Sequence, residues 1–375
     1  MRWLPREVAP ELLLVLVCLL PHPLRAQEPS ATVEAVVDDT FEAHDAAAVD
    51  SFVRAAMEEL DVVPGLALAV VEDGRIVHEA GFGDRDRAAG LPITPRTVFY
   101  TASLAKAFTG ATAAVLASDG AIDLNAPLVR FFPELTTEPP VDAGETTLRD
   151  LLRHGKSFRN GAVNFVTTFV GPYERSELVR VLNEYSDPSE GFAYSNEAYA
   201  LTGYAIEEAT GRDWRDVMRD RVFRPLGMER STARLSAIDS SDVALPYLAR
   251  EDGIRRIEFA KSDRTITGAG GIFSSAHDLA RFVIAQLDEG RVEGGRRLPA
   301  AAVREMQIPQ IRLDRTFFEF ERYAYGLGLY LARWEGEELF HHFGAFPGFR
   351  SHLSFMPAHD VGVVVLQNEG VDGNR

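Results

Sequence analysis

The chain has 375 residues, 46% of them hydrophobic, and a formal net charge of −17. That length and apolar content support one large domain or two with a substantial core. So acidic a chain repels phosphate backbones, which argues against nucleic acid as a partner. No internal repeat stands out.

The N-terminus reads as an export signal. Arg2 and Arg6 precede an apolar run, 12–20, and Pro21, Pro23 and the small Ala26 follow. An apolar stretch this short fits a secretory segment better than a membrane span. Residues 1–26 are therefore expected to be a signal peptide cut after Ala26, with an uncleaved anchor as the alternative. The mature protein would be secreted or periplasmic and would carry no stable membrane span. The only cysteine, Cys18, lies inside the apolar run without the small residues that precede a lipid-modified cysteine. The mature chain would then use neither disulfides nor thiol catalysis. Of the 39 basic residues only three are lysine: Lys106, Lys156 and Lys261.

Residues 27–46 are polar, small and acidic, and read as a linker. Ala47, Val49, Phe52, Val53, Ala56 and Leu60 carry helical spacing. Pro64-Gly65 breaks the chain before an apolar run over 66–71, a turn at Asp73-Gly74 and a returning strand over 75–80, together a hairpin signal. Alanine-rich texture over 103–116 predicts a helix ending at Asp119-Gly120. Helical segments follow at 174–183, 197–210 and 214–223, the last stopped by Pro225-Leu226-Gly227. A glycine-rich passage spans 268–272 and another helix 276–287. Strand texture returns at 325–334, 350–355 and 362–366, with a turn over 357–360. Strands begin and end the chain and helices fill its middle, which implies an α+β fold. A sheet domain of 47–100 and 262–375 would flank a helical domain of 101–261.

Three short patterns carry chemistry. In Ser103-Leu104-Ala105-Lys106 the hydroxyl and the amine lie three residues apart, hence on one helix face. A serine at a helix start has free backbone N–H groups beside it, suited to a developing oxyanion. The lysine can lower a neighbour's pKa or relay a proton. Lys106 also sits in an apolar helix that packing alone would fill with Leu or Ala. In Tyr194-Ser195-Asn196 the phenol needs a nearby cation to act as a base near neutral pH, because its free pKa is about 10. Asn196 offers a donor and an acceptor to hold lysine and substrate. Taken alone, a buried structural tyrosine beside a helix cap is the plainer reading. In His342-Phe343-Gly344 a strand ends in a glycine that would let a substrate backbone approach the sheet edge. His341, His342 and His352 raise the question of a metal. Adjacent His341 and His342 point to opposite sides of a strand, however, and no Asp, Glu or Cys lies at ligand spacing, so none is expected.

The order Ser-x-x-Lys, Tyr-x-Asn, then a basic residue two before a glycine is the signature of serine β-lactamases and penicillin-binding proteins. From about Val63 to Asn368 the chain resembles the class C β-lactamase-like serine hydrolases, which include penicillin-binding proteins, D-aminopeptidases and esterases. Val63-Pro64-Gly65-Leu66, Thr97-Val98-Phe99 and Pro225-Leu226-Gly227-Met228 add to the likeness. So do Gly270-Gly271-Ile272-Phe273-Ser274-Ser275, Asp278-Leu279-Ala280, Pro347-Gly348-Phe349 and Leu366-Gln367-Asn368. The resemblance implies an antiparallel sheet flanked by helices, a mostly helical insertion and a site in the cleft between them. It implies Ser103 as acylated nucleophile, Tyr194 held near Lys106 as general base and later acid, and an oxyanion hole of the Ser103 and Ala345 backbone N–H groups. Asn196, His342 and Gly344 would meet substrate, water would deacylate the ester, and no metal or organic cofactor is needed.

Three features depart from the pattern. The best-known β-lactamases have Lys-Thr-Gly where this chain has His342-Phe343-Gly344, which exchanges a fixed cation for a partly charged one and loses a hydroxyl. Relatives read Leu-Leu-x-His-x-Ser-Gly where this chain has Leu151-Leu152-Arg153-His154-Gly155-Lys156-Ser157. There Lys156 and Arg159 either attract an acidic substrate group or sit on a solvated loop. Relatives also continue into a further helix past Asn368, so a truncated sequence is expected. The leading expectation is a hydrolase that passes through a serine acyl-enzyme on small esters, D-amino-acid peptides or amides, or β-lactams, with lactams disfavoured by His342 and Phe343. The alternative is a non-catalytic or slow-turnover sensor that keeps the fold.

Overall fold

The computed structural model describes residues 46–370 except 159–160, 166, 169–173, 186, 251, 296 and 318. The export signal 1–26 with Cys18, residues 27–45 of the linker and Arg159 lie outside the described residues.

Helix α1 (Ala46–Leu60) buries Val49, Phe52, Val53 and Ala56, which recur on one face. The apolar run becomes strand β1 (Gly65–Glu72), and β2 (Arg75–Asp86) returns beside it. Asp73 and Gly74 have φ of 48° and 69°, the left-handed pair that a two-residue hairpin needs. A short β3 (Leu91–Pro92) ends this edge. The other six strands come from the end of the chain. They are β4 (Ile311–Phe317), β5 (Phe320–Tyr325), β6 (Tyr330–Trp334), β7 (Glu337–Phe346), β8 (Phe349–Met356) and β9 (Val361–Gln367). The nine form one antiparallel sheet in the order β4-β5-β6-β7-β8-β9-β1-β2-β3. The first hairpin thus closes against the last strand, with Leu66 opposite Gln367 and Glu72 opposite Val361.

The two faces of β1 serve two cores. Leu66, Leu68 and Val70 pack with Val49, Phe52 and Val53 of α1 and with Val363 and Val365 of β9. Ala67, Ala69 and Val71 point the other way, into the larger core. The period of two is that of a strand buried on both faces. The middle of the chain supplies α2 (Ala105–Ser118), α3 (Leu148–Leu152), α4 (Arg175–Tyr185) and α5 (Asn196–Thr210). After it come α6 (Ala276–Leu287), laid against β1, β8 and β9, and α7 (Ala300–Gln307), packed on α2.

Some expectations change. The strand expected over 325–334 is two strands separated by a turn at 326–329. Gly328 there has φ of 86°, and a Cβ on Gly326 would sit 2.0 Å from the Met306 carbonyl oxygen. The helix expected over 214–223 is α-helical only through Trp214–Met218 and widens to a π turn over Arg219–Phe223. Strands β4 and β5 and helix α7 were not anticipated.

Candidate active site

Ser103 lies just outside α2, in the 3-10 turn Ala102–Leu104 that feeds it. Ala102 is left-handed, with φ of 48°, a conformation that costs a residue with a Cβ roughly 1 kcal/mol. The turn is held from both sides. The Thr101 N–H and hydroxyl each donate to the Ile272 carbonyl at 3.0 Å, and the Ser351 hydroxyl donates to the Thr101 carbonyl at 2.6 Å. Strain restrained by outside contacts in this way is typical of functional turns.

One turn into α2, Lys106 is fully buried. Its Nζ lies 3.2 Å from Ser103 Oγ, 2.7 Å from Asn196 Oδ1 and 2.8 Å from the Ala269 carbonyl oxygen. Burial pushes the amine well below its usual value, with Glu197 the opposing charge. Neutral lysine has two N–H donors and one lone pair. In that form Asn196 Oδ1 and the Ala269 oxygen, which can only accept, take the two donors and the lone pair faces the Ser103 hydroxyl. The Asn196 amide is oriented by the same network, its Nδ2 donating to Asn164 Oδ1 at 2.9 Å and Thr168 Oγ1 at 3.0 Å. Its hydrogen bonds thus go to protein, which makes it a residue that positions lysine.

Tyr194 precedes Ser195, the N-cap of α5, whose hydroxyl accepts from the Ala198 N–H. The Tyr194 ring lies 4.6 Å from Lys106 Nζ. Burial among Tyr330 and Tyr199 raises the phenol well above its usual value, and contact with Ser103 opposes the rise. As a residue Tyr194 still keeps 38% of its surface exposed. His154, not anticipated as a site residue although it stands in the Leu-Leu-x-His stretch, holds this loop. Its Nδ1 accepts from the Ser195 N–H at 3.2 Å and its ring packs 4.7 Å from Tyr194. Burial, with Lys106 and His342 nearby, keeps His154 neutral.

Strand β7 supplies the opposite wall. Its pairing with β6 runs only as far as His341 opposite Tyr330, so residues 342–346 pair with β8 alone and leave an edge toward the nucleophile turn. Gly344 is what allows the approach: a Cβ there would lie 2.1 Å from the Thr101 oxygen and 2.9 Å from the Ser103 nitrogen. The glycine expected to admit substrate therefore admits the protein's own nucleophile turn. His342, expected to meet substrate, is enclosed at 1% exposure. Its Nδ1–H donates to the Phe343 carbonyl at 2.8 Å, and burial and Lys106 push its pKa well down. It is therefore neutral and does not offer a cation to a ligand. Ala345 is exposed and lines the same cleft as Ser103.

That cleft encloses about 570 Å³ including its open mouth, and it is lined by Ser103, Asn196, Ala345 and Phe346 together with Lys261. Tyr194 and His342 are not in its lining. Lys156 is absent from it as well and sits in a short strand opposite Glu190. Glu197 lines the cleft, but its Oε1 and Oε2 accept from the Thr167 and Ser195 hydroxyls. Among the described residues no group of three His, Cys, Asp or Glu is placed to hold a metal, and no helix is long and apolar enough to cross a membrane.

A serine hydroxyl against a desolvated lysine, with a tyrosine at the same hydroxyl and two backbone segments closing on it, can carry out acyl transfer. A model of the Beta-lactamase family matches residues 49–374. The chain belongs to the beta-lactamase family. Within that family of serine hydrolases it is similar to penicillin-binding protein 4 of Amycolatopsis lactamdurans, 28% identical over 82% of this chain and 82% of that one. It is 25% identical to a D-aminopeptidase of Gluconobacter oxydans over 81% of its length, spanning only 56% of that protein. Among solved structures, D-amino acid amidase of Ochrobactrum anthropi SV3, complexed with L-phenylalanine amide, superposes with a TM-score of 0.68. It is 28% identical over 83% of this chain and 87% of that one.

Proposed function

We propose that the protein is a hydrolase that works through an acyl-enzyme on Ser103. The observation that carries the reading is the triple coordination of Lys106, which turns a neutral amine's lone pair on the Ser103 hydroxyl. Ser103 gives its proton to Lys106 Nζ as Oγ attacks the substrate carbonyl carbon. The Ser103 and Ala345 N–H groups stabilise the resulting oxyanion. The proton reaches the leaving group through the Tyr194 hydroxyl as the bond to that group breaks. Water then attacks the Ser103 ester, gives its proton back along the same path, and releases the acid and free Ser103. In this reading Lys106 is the resting proton acceptor and Tyr194 the relay, because burial lowers the amine and raises the phenol.

Esters and D-amino-acid amides or peptides are favoured over β-lactams. The relatives' names support the amide class for those proteins, and the enclosed, neutral His342 offers no cation to a lactam carboxylate. The test is to treat the protein with a fluorophosphonate probe, p-nitrophenyl butyrate, D-phenylalanine amide and a chromogenic cephalosporin. Wild type is expected to label at Ser103 and to turn over the ester or the amide, and Ser103→Ala to do neither. Labelling without any turnover would mark a slow sensor instead, and unchanged turnover in Ser103→Ala would sink the mechanism. Export is part of the proposal: N-terminal sequencing of the protein from a secreted or periplasmic fraction should begin at Gln27.

A further inference from the structure

The third lysine remains without a role in this chemistry. Lys261 lines the cleft beside Ser103, Ala345 and Phe346, yet it is only 9% exposed. Its ammonium donates to the carbonyl oxygens of Thr168 and Thr265, the second at 3.4 Å, and stands 5.2 Å from the centre of the Phe346 ring. Among the described residues it makes no ion pair with a carboxylate. A buried cation without a counter-charge is costly unless something compensates it. Among the described residues the compensation is incomplete, because an ammonium has three N–H donors and two of them reach carbonyl oxygens. Thr168, Thr265 and Thr267 line the cleft with it. Burial lowers Lys261 only to about 8, so it stays mainly charged near neutral pH. Lys106, by contrast, is fully buried and pushed well below its usual value.

The position of the cleft says which part of a substrate would meet this cation. Tyr194, the relay to the leaving group in the proposed reaction, is absent from the lining, whereas Asn196 and Ala345 are present. An acyl group on Ser103 that extends into this space, away from Tyr194, would meet Lys261. We propose that Lys261, with the threonines beside it, forms a subsite for a carboxylate carried on the acyl portion of the substrate, so that the preferred acyl donors are anionic. This rests on Ser103 being the acylated nucleophile. It narrows the proposed substrate classes toward acyl donors that carry a carboxylate and away from free amino-acid amides, whose acyl group holds an ammonium next to the reacting carbonyl.

The competing role for Lys261 is structural: its two carbonyl contacts tie the segments around Thr168 and Thr265 together. A pair of substrate series separates the two. The p-nitrophenyl monoesters of glutaric, adipic and suberic acids are compared with the neutral pentanoate, hexanoate and octanoate esters, in wild type, Lys261→Met and Lys261→Arg, after subtracting spontaneous hydrolysis. Lys261→Met is expected to lower kcat/KM for the best monoester by about 10- to 100-fold, chiefly through KM, and to leave the matched neutral ester within about 3-fold. Lys261→Arg should keep part of the anionic preference. An equal fall for both series, or no change in either, overturns the subsite while leaving Ser103 acylation intact. Fluorophosphonate labelling of each variant is the control for that reaction. Absence of Ser103 labelling in wild type would instead overturn the parent reading and the subsite with it.

Discussion

Lys106 and Lys261 are both enclosed and both donate to backbone carbonyls, one behind Ser103 and the other in the cleft that Ser103 lines, yet they are built for different work. Lys106 has every direction of its amine assigned, to Ser103, Asn196 and Ala269, and burial pushes it well below its usual pKa. Lys261 keeps one donor unassigned among the described residues and is lowered only to about 8. Burial alone does not define a lysine's function. What decides is whether the surrounding acceptors leave the nitrogen a lone pair aimed at a reacting group or an ammonium open to a ligand.

The comparison can be broken most severely at Lys106. Lys106→Met is expected to slow acylation of Ser103 by about 10³- to 10⁴-fold toward neutral and anionic esters alike, measured by single-turnover labelling. A loss confined to anionic esters would mean that the two lysines had been assigned the wrong way round. A smaller effect is expected at the strand edge. Gly344→Ala places a Cβ against the Thr101 oxygen and the Ser103 nitrogen, so the nucleophile turn must move. Activity should fall about 10- to 100-fold with both lysines still in place, because a displacement near 1 Å has that order of effect. Unaltered kcat/KM in a folded Gly344→Ala variant would show that the close approach is not what positions Ser103. The smallest change is at Ala102, whose left-handed backbone a glycine adopts freely. Ala102→Gly should raise stability by about 0.5 kcal/mol after the extra freedom of the unfolded chain is counted, read as a shift of the denaturant midpoint.

The local parts of this account are legible in the sequence. Ser103 and Lys106 are one helical turn apart, so their meeting follows from spacing, and the Asp73-Gly74 hairpin follows from the backbone those two residues tolerate. The helix bearing Val49, Phe52 and Val53 declares itself by periodicity. What depends on distant contacts is not legible. Strand β4 reads Ile-Arg-Leu-Asp-Arg-Thr-Phe and is half exposed at the sheet edge, so it lacks the apolar run that marks a strand. Residues 325–334 look continuous because the turn in them exists to clear Met306 and α2. His342 reads as a substrate contact, but its ring is enclosed among Tyr194, Tyr325 and Tyr330, residues brought there by three separate elements. Lys261 stood out only as one of three lysines. Its meaning appears when the segments around Thr168, Thr265 and Phe346 come together. His154 carried a weak signal, as a histidine in a recurring stretch, without any indication that it would hold the Ser195 backbone.

The most direct test of the central claim, that a neutral Lys106 activates Ser103, is the pH dependence of the rate at which a fluorophosphonate acylates the site. The structure's depressed amine predicts a rate that reaches its plateau well below pH 10.5, falls on the acid side as Lys106 takes up a proton, and loses that acid limb in Lys106→Met. A rate that keeps rising to a midpoint near 10.5, the ordinary lysine value, would show that Lys106 rests as an ammonium and would contradict the account.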